Sequence, residues 1–391
     1  MELEEKINNY WFAIEPYVFV GFSDKEVVLY NTLDKQIVES NKLEVVELMR
    51  ETLQKENCGV LFLSYERYNH LDIRQFIFQL REKFMGDIIE VGLSNGKPIQ
   101  LLPYYDFITK GVNPKNIYLS DNKNVLENLS EISIHVDSNI SDRLLIPILR
   151  SIPNIVVFNV VGDWNDILNH EDLLFFLVNH SSNKYIICSY KNLTHLRIDL
   201  NNFKFKVSVH LPIEINEWNK SIDILYNHSL DVEYIFDVSS EEDCLKVELL
   251  TEKYKIEKFQ LNPIYTGDNI LFFKKHIYLS KEDILSASIS IKDFYIRQSM
   301  NAYDFGKINI MSNGDVYANM DHPKLGNIYM NSIYDLVQKE IEEGLSWFRI
   351  RDQSPCDTCI YQWYCPSPSK YEIAIGYSNL CHVKPNSKKY E

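Results

Sequence analysis

Of the seven cysteines in this chain, four crowd into 26 residues. They are Cys356, Cys359, Cys365 and Cys381, spaced C-x2-C-x5-C-x15-C. A C-x2-C turn lets two thiolates converge on one metal centre while backbone amides point at the sulfurs. Four such thiolates suit an iron–sulfur cluster or a tetrahedral zinc ion. A zinc ribbon carries two C-x2-C hooks and this chain has one. Cys365-Pro366 matches the Cys-Pro step of ferredoxin runs. The plain alternative is four unligated buried thiols. His382 reads as a bystander beside Cys381, and Cys58, Cys188 and Cys244 read as small core hydrophobes.

Other polar residues fall at the ends of apolar runs: Asp137, Tyr190, His210 and Asp237. They suggest no triad, dyad or phosphate loop, so no catalytic residue is assigned. The chain has 391 residues with a formal charge of −15, 55 acidic against 40 basic. At roughly 150 residues per domain that is two or three domains. The charge repels a phosphate backbone, and no Lys/Arg stripe overrides it. Neither nucleic acid nor membrane is expected as a partner. The Met1-Glu-Leu-Glu-Glu-Lys start lacks the charge and apolar runs of a signal peptide. No run reaches the roughly 18–20 apolar residues of a membrane span. A cytoplasmic protein is expected, whose cysteines serve as thiols or ligands before disulfides.

Three units must position these residues. Residues 1–95 combine short strands at Tyr17–Gly21, Val27–Asn31, Gln36–Glu39 and Gly59–Leu63 with helices at Leu43–Leu53 and Leu71–Phe84. The pattern suggests a small winged-helix-like α+β domain. Residues 96–128, punctuated by Gly and Pro, read as a linker. From Ile132 onward, β-rich runs alternate with helical ones. The former are Ile132–Val136, Ile155–Val160, Tyr185–Cys188, Phe205–His210, Val232–Val238 and Ile256–Leu261. Such alternation implies βαβ units and a parallel sheet. Six repeats in about 130 residues suit an open, partial (β/α)6 barrel. The runs look near-continuously apolar, as in a sheet covered by helices. Asn313-Gly314 then marks a hairpin between Ile308–Met311 and Val316–Asn319, and a helix spans Ile333–Glu342.

The C-terminal third resembles a SPASM domain, the auxiliary-cluster module of radical SAM enzymes that modify peptides. The matching residues are Ile308–Met311, Asn313–Tyr317, Leu325-Gly326-Asn327-Ile328 and Cys356–Cys365. The six-unit run before it resembles a radical SAM core over residues 129–295, with the SPASM-like part over 296–391. Residues 1–95 look like a PqqD-like leader-peptide recognition domain. Together with the Cys365–Glu372 tail, these features resemble the pseudo-radical-SAM proteins of Bacteroidales systems that mature ribosomally synthesised peptides with Gly-Gly leaders.

The departures shape what the resemblance implies. Radical SAM enzymes carry C-x3-C-x2-C after the first strand. Here that loop is Asp137-Ser-Asn-Ile-Ser-Asp142, and the triplet occurs nowhere in the sequence. Val161-Gly162-Asp163-Trp164 replaces the Gly-rich segment after the second strand. The inner SPASM cluster would need cysteines where Asn319 and Ser369 stand, while all four outer ligands are present. The resemblance therefore implies one 4Fe-4S cluster on Cys356, Cys359, Cys365 and Cys381, with zinc as the alternative, and no S-adenosylmethionine. It implies a non-catalytic partner that binds a precursor leader and presents it to an active radical SAM enzyme. Strand addition at Gln36, Ile37, Val38 and Glu39 would capture the leader. The alternatives are an iron–sulfur electron-transfer protein and an enzyme with repurposed barrel chemistry.

Overall fold

The computed structural model describes residues 8–102, 124–191, 193, 200, 202–227 and 230–385. The linker expected over 96–128 falls largely on 103–123, outside the described residues.

The N-terminal part holds six strands: β1 (Tyr10–Ile14), β2 (Val18–Phe22), β3 (Val27–Asn31), β4 (Ile37–Ser40), β5 (Val60–Leu63) and β6 (Gly86–Glu90). Strands β2, β3 and β4 form an antiparallel meander, and β5, β1 and β6 form a second three-stranded sheet. The strands expected from the sequence omit β1 and β6, and with them the second sheet. Helices α1 (Leu43–Thr52), α2 (Tyr65–Tyr68) and α3 (Leu71–Glu82) complete the unit. Val45, Val46 and Met49 of α1 and Ile73, Phe76 and Leu80 of α3 recur at helical spacing. They close a core over Phe12, Val20 and Leu29.

Successive residues of a strand face opposite ways. Phe19, Val28 and Tyr30 therefore point away from that core. They are buried all the same, in a separate cluster with Ile284, Ile289, Phe294, Ile360 and Tyr364. The meander is covered on both faces, which is why β2 and β3 are almost wholly apolar.

The second body is a mixed nine-stranded sheet. Its first six strands are β7 (Glu131–His135), β8 (Val157–Val161), β9 (Lys184–Ser189), β10 (Lys204–His210), β11 (Val232–Val238) and β12 (Phe259–Pro263). They run parallel and lie side by side in chain order. Among the described residues, helices lie in four of the five connections of this run. Those helices are α4 (Asp142–Leu149), α5 (Trp164–Asn169), α6 (Glu171–Val178), α7 (Ile215–Asn227) and α8 (Glu241–Tyr254).

The burial pattern corrects one expectation. The strands are not apolar on both faces but alternate. Ile132, Ile134, Val207, Val209 and Phe236 are buried, whereas Ser133, His135, Ser208 and Asp237 are half-buried on the other side. One face meets helices and the other is polar. Strand β12 also lies three residues later than expected, starting at Phe259 instead of Ile256.

Beyond β12 come α9 (Ile270–His276), α10 (Lys281–Ser286) and α11 (Ile291–Ser299). Ser280 with Asp283 and Ser290 with Asp293 form capping boxes that fix where α10 and α11 begin. Strand β13 (Lys307–Ile310) then joins the free side of β7 in parallel. It leads into β14 (Asp315–Tyr317) and β15 (Gly326–Asn327). Gly314 makes the hairpin turn at φ 85°, a conformation glycine adopts without penalty. Helices α12 (Ile333–Glu343) and α13 (Lys370–Ile375) flank the cysteine segment. Among the described residues, no helix is long and apolar enough to cross a membrane.

Candidate functional site

Cys356, Cys359 and Cys365 lie on a succession of tight turns. The Cys359 N–H donates to the Cys356 carbonyl at 3.0 Å, and the Cys365 N–H donates to that of Tyr361 at 3.1 Å. Cys381 arrives from the far end of the tail through a bridge to Leu279. The Leu279 N–H donates to the Leu380 carbonyl and the His382 N–H to that of Leu279, both at 3.0 Å. All four thiols are free of disulfides, and all but Cys359 are buried. They share one neighbourhood, for the charges of the other three all bear on Cys365.

Three N–H groups converge on the sulfurs. The Val383 amide donates to Cys381 Sγ at 3.3 Å and Asn379 Nδ2 to Cys356 Sγ at 3.5 Å. The Tyr361 amide donates to the Cys359 sulfur. Two guanidiniums stand close by. Arg351 donates to the Pro366 carbonyl at 2.6 Å and to Glu372 at 3.0 Å, and it senses both Cys365 and Cys356. Arg297 donates to the Tyr364 carbonyl at 2.6 Å and senses Asp293 and Cys365. Among the described residues Arg297 has no carboxylate at ion-pair distance.

The donor set and its N–H shell thus fit a thiolate-ligated metal group. Among the described residues, no group of three or more His, Cys, Asp or Glu side chains is placed so that it could hold a metal ion. Burial pushes the Cys365 thiol up to about 12 and lifts that of Cys359. A metal would have to displace those protons. His382 is engaged elsewhere, its Nε2 lying 2.8 Å from the Lys274 carbonyl. Of the other cysteines, Cys188 is buried as expected, but Cys58 is exposed.

The four strand residues expected to meet a peptide are not equivalent. The Gln36 carbonyl accepts from Asn31 N–H at 2.9 Å, so Gln36 and Val38 turn their backbone toward β3. By alternation Ile37 and Glu39 turn theirs outward. Lys83 Nζ already takes the Ile37 carbonyl at 2.5 Å. The Glu39 carboxylate accepts from the Tyr361 hydroxyl at 2.8 Å and from Lys281 at 2.6 Å. This strand edge and the cysteine segment therefore touch, which nothing in the sequence signalled.

The loop after β7 holds no thiol and is closed by its own bonds. His170 lies 2.8 Å from Asp142 through Nδ1 and 2.9 Å from the Asp137 carbonyl through Nε2. The Leu173 N–H donates to Asp142 at 3.2 Å, and the Ser312 hydroxyl to Asp137 at 2.7 Å. Two of the strand-end residues form an ion pair. His210 Nδ1 lies 2.5 Å from Asp237, and Asn262 donates to the other Asp237 oxygen at 2.7 Å. These three residues are direct neighbours across β10, β11 and β12. Tyr190 is buried, and its hydroxyl accepts from the Glu214 N–H at 2.9 Å.

A cavity of about 470 Å³ opens between β7, β13 and the start of α13. Asn319 and Ser369 line it together with Glu131, Asp304 and Lys307. Asn319 Nδ2 donates to both Asp304 oxygens at 3.1 Å, and burial raises the Asp304 carboxyl above its ordinary value.

Fold and site together define a mixed α/β protein with a parallel-strand sheet and a thiol-rich C-terminal segment docked on a small antiparallel sheet. No family model and no curated protein matches the chain. Among solved structures it is similar to hexahistidine-tagged anSMEcpe with bound AdoMet, at TM-score 0.43 and 12% identity over 61% of this chain and 84% of that one. Native anSMEcpe with bound AdoMet and Kp18Cys peptide gives TM-score 0.41 and 12% identity over 60% and 88%. Likeness at this level bears on neither the site nor the function.

Proposed function

We propose that this chain is a non-catalytic, pseudo-radical-SAM partner in the maturation of a ribosomally synthesised peptide, working in the cytoplasm. Residues 1–95 form a winged-helix-like leader-binding domain, 129–295 a degenerate partial barrel, and 296–391 a SPASM-like domain. Cys356, Cys359, Cys365 and Cys381 hold one 4Fe-4S cluster. A cluster with every iron thiolate-bound carries single electrons or staples the surrounding tail. A precursor leader adds as a strand along Ile37 and Glu39, and the body presents the peptide to an active radical SAM enzyme.

The observation that carries this reading is the unequal fate of two loops. Three of the four sulfurs accept from N–H donors and guanidiniums stand near Cys365 and Cys356, while the loop after β7 is thiol-free and held by His170 and Ser312. Anaerobic purification with iron, sulfide and zinc analysis tests the first half. About four iron per chain supports the cluster, whereas about one zinc makes the segment a structural staple. Calorimetry of the full chain against precursor peptides encoded beside it tests the second half. Absence of binding to all of them would sink the leader-capture role.

A further inference from the structure

The meander β2–β3–β4 rests its second face on the cysteine segment. Phe19 stacks on Phe294 at 3.7 Å between ring centres. The Tyr364 hydroxyl reaches the Phe19 and Val28 carbonyls at 3.3 and 3.2 Å. Gly21 allows this approach, because a Cβ there would stand 2.5 Å from the Ile360 carbonyl. Ile360, Tyr361 and Tyr364 all lie between Cys359 and Cys365. The segment from Cys356 to Cys365 therefore carries three of the candidate ligand sulfurs and packs, with Cys365 among its contacts, against the second face of the meander. At the outer strand, the Tyr361 hydroxyl and Lys281 both fasten Glu39, one of the two residues whose backbone faces outward.

From this we infer that the peptide-accepting edge of β4 is a composite surface, formed only when the four-cysteine segment is loaded, with Tyr361 as the residue that positions it. The inference rests on the proposed metal site and deepens the proposed leader capture. Between Cys356 and Cys365 the segment holds a single 3-10 turn, at Cys356–Thr358, and α13 follows before Cys381. The segment's shape is set by what its sulfurs bind. When the metal leaves, Tyr361 and Tyr364 lose their fixed positions, and Glu39 loses its anchor. The edge then no longer offers an ordered strand to an extended peptide, whose affinity depends on main-chain hydrogen bonds in register.

The sheet β5–β1–β6 supplies an internal control, for none of its residues belongs to the cluster shared with the cysteine segment. Hydrogen exchange should be followed on the full chain, metal-loaded and chelator-stripped, with metal content measured on the same samples. Stripping should speed exchange in β2–β4 by about tenfold, the loss of one or two hydrogen bonds, and leave β5–β1–β6 within about twofold. Tyr361→Phe should keep its metal and its visible spectrum yet show faster exchange around Ile37 and Glu39. A loaded chain whose β2–β4 exchange is unchanged by stripping, or by Tyr361→Phe, overturns the inference and leaves the metal site standing. A chain that takes up neither iron nor zinc overturns both.

Discussion

Two loops of this protein sit at opposite ends of one argument. The loop at residues 137–142 and the segment at 356–365 are both irregular, and both pack against folded elements. The first has its polar groups met by neighbouring elements: His170 bonds to Asp142 and to the Asp137 carbonyl, and Ser312 to Asp137. The second is different. It gathers four sulfurs, three N–H donors aimed at them, and Arg297 without a carboxylate at ion-pair distance among the described residues. The first loop's polar groups are matched by neighbouring side chains, whereas the second gathers donors and cations around thiols, the arrangement the proposed metal group would use.

The contrast breaks most visibly at the cysteines. Cys365→Ala should abolish metal uptake. It should also remove about 4 kcal/mol of apparent stability, the linkage expected of a metal held a thousandfold above its dissociation constant. Metal analysis and thermal melting of the same preparation check it, and a variant that melts like the parent would show the segment to be self-sufficient. Arg297→Met comes next. It strands the Tyr364 carbonyl and takes a positive charge from beside Cys365. The expected cost is about 2–3 kcal/mol by denaturant titration. If the site holds a redox-active cluster, its midpoint potential should also move negative, since reduction then adds charge to a less positive surrounding. An unchanged potential would mean that Arg297 answers only the Trp363 and Tyr364 carbonyls.

Much of this could be read from the sequence, and the failures have physical reasons. Strand β11 lies where the pattern put it, Val232–Val238, because its alternate residues Tyr234, Phe236 and Val238 are buried and a core enforces the period. Strand β12 is displaced because it is the outermost strand, with Phe259, Gln260 and Leu261 exposed, so no buried face fixes its register. Strand β1 escapes a local reading because its partners, Leu63 and Glu90, are remote in the chain. The cysteines announce themselves by spacing. Their surroundings do not: Arg297, Arg351 and Asn379 come from different elements at no fixed interval. The Tyr361–Glu39 bond spans 322 positions, and no local pattern encodes it.

The self-bonded loop gives the smaller effects, and these sharpen the comparison from its other side. His170→Ala removes the partner of both Asp142 and the Asp137 carbonyl, so a loss of about 1–3 kcal/mol is expected, with metal content untouched. Asp137 gives a finer test through pH. The Ser312 hydroxyl first, and the Asn139 amide next, hold its carboxyl below the ordinary range. A depressed folded value means that the ionised form stabilises the fold above the unfolded pKa of about 3.9. That contribution fades as pH falls through the folded value. Melting followed from pH 6 downward should therefore show a slope near pH 4 and below that Asp137→Asn lacks, while the two proteins converge in acid. The carboxyl is open to water, so the difference will be small. A slope identical in both proteins would mean that Ser312 merely rests against Asp137, and that His170 alone closes the loop.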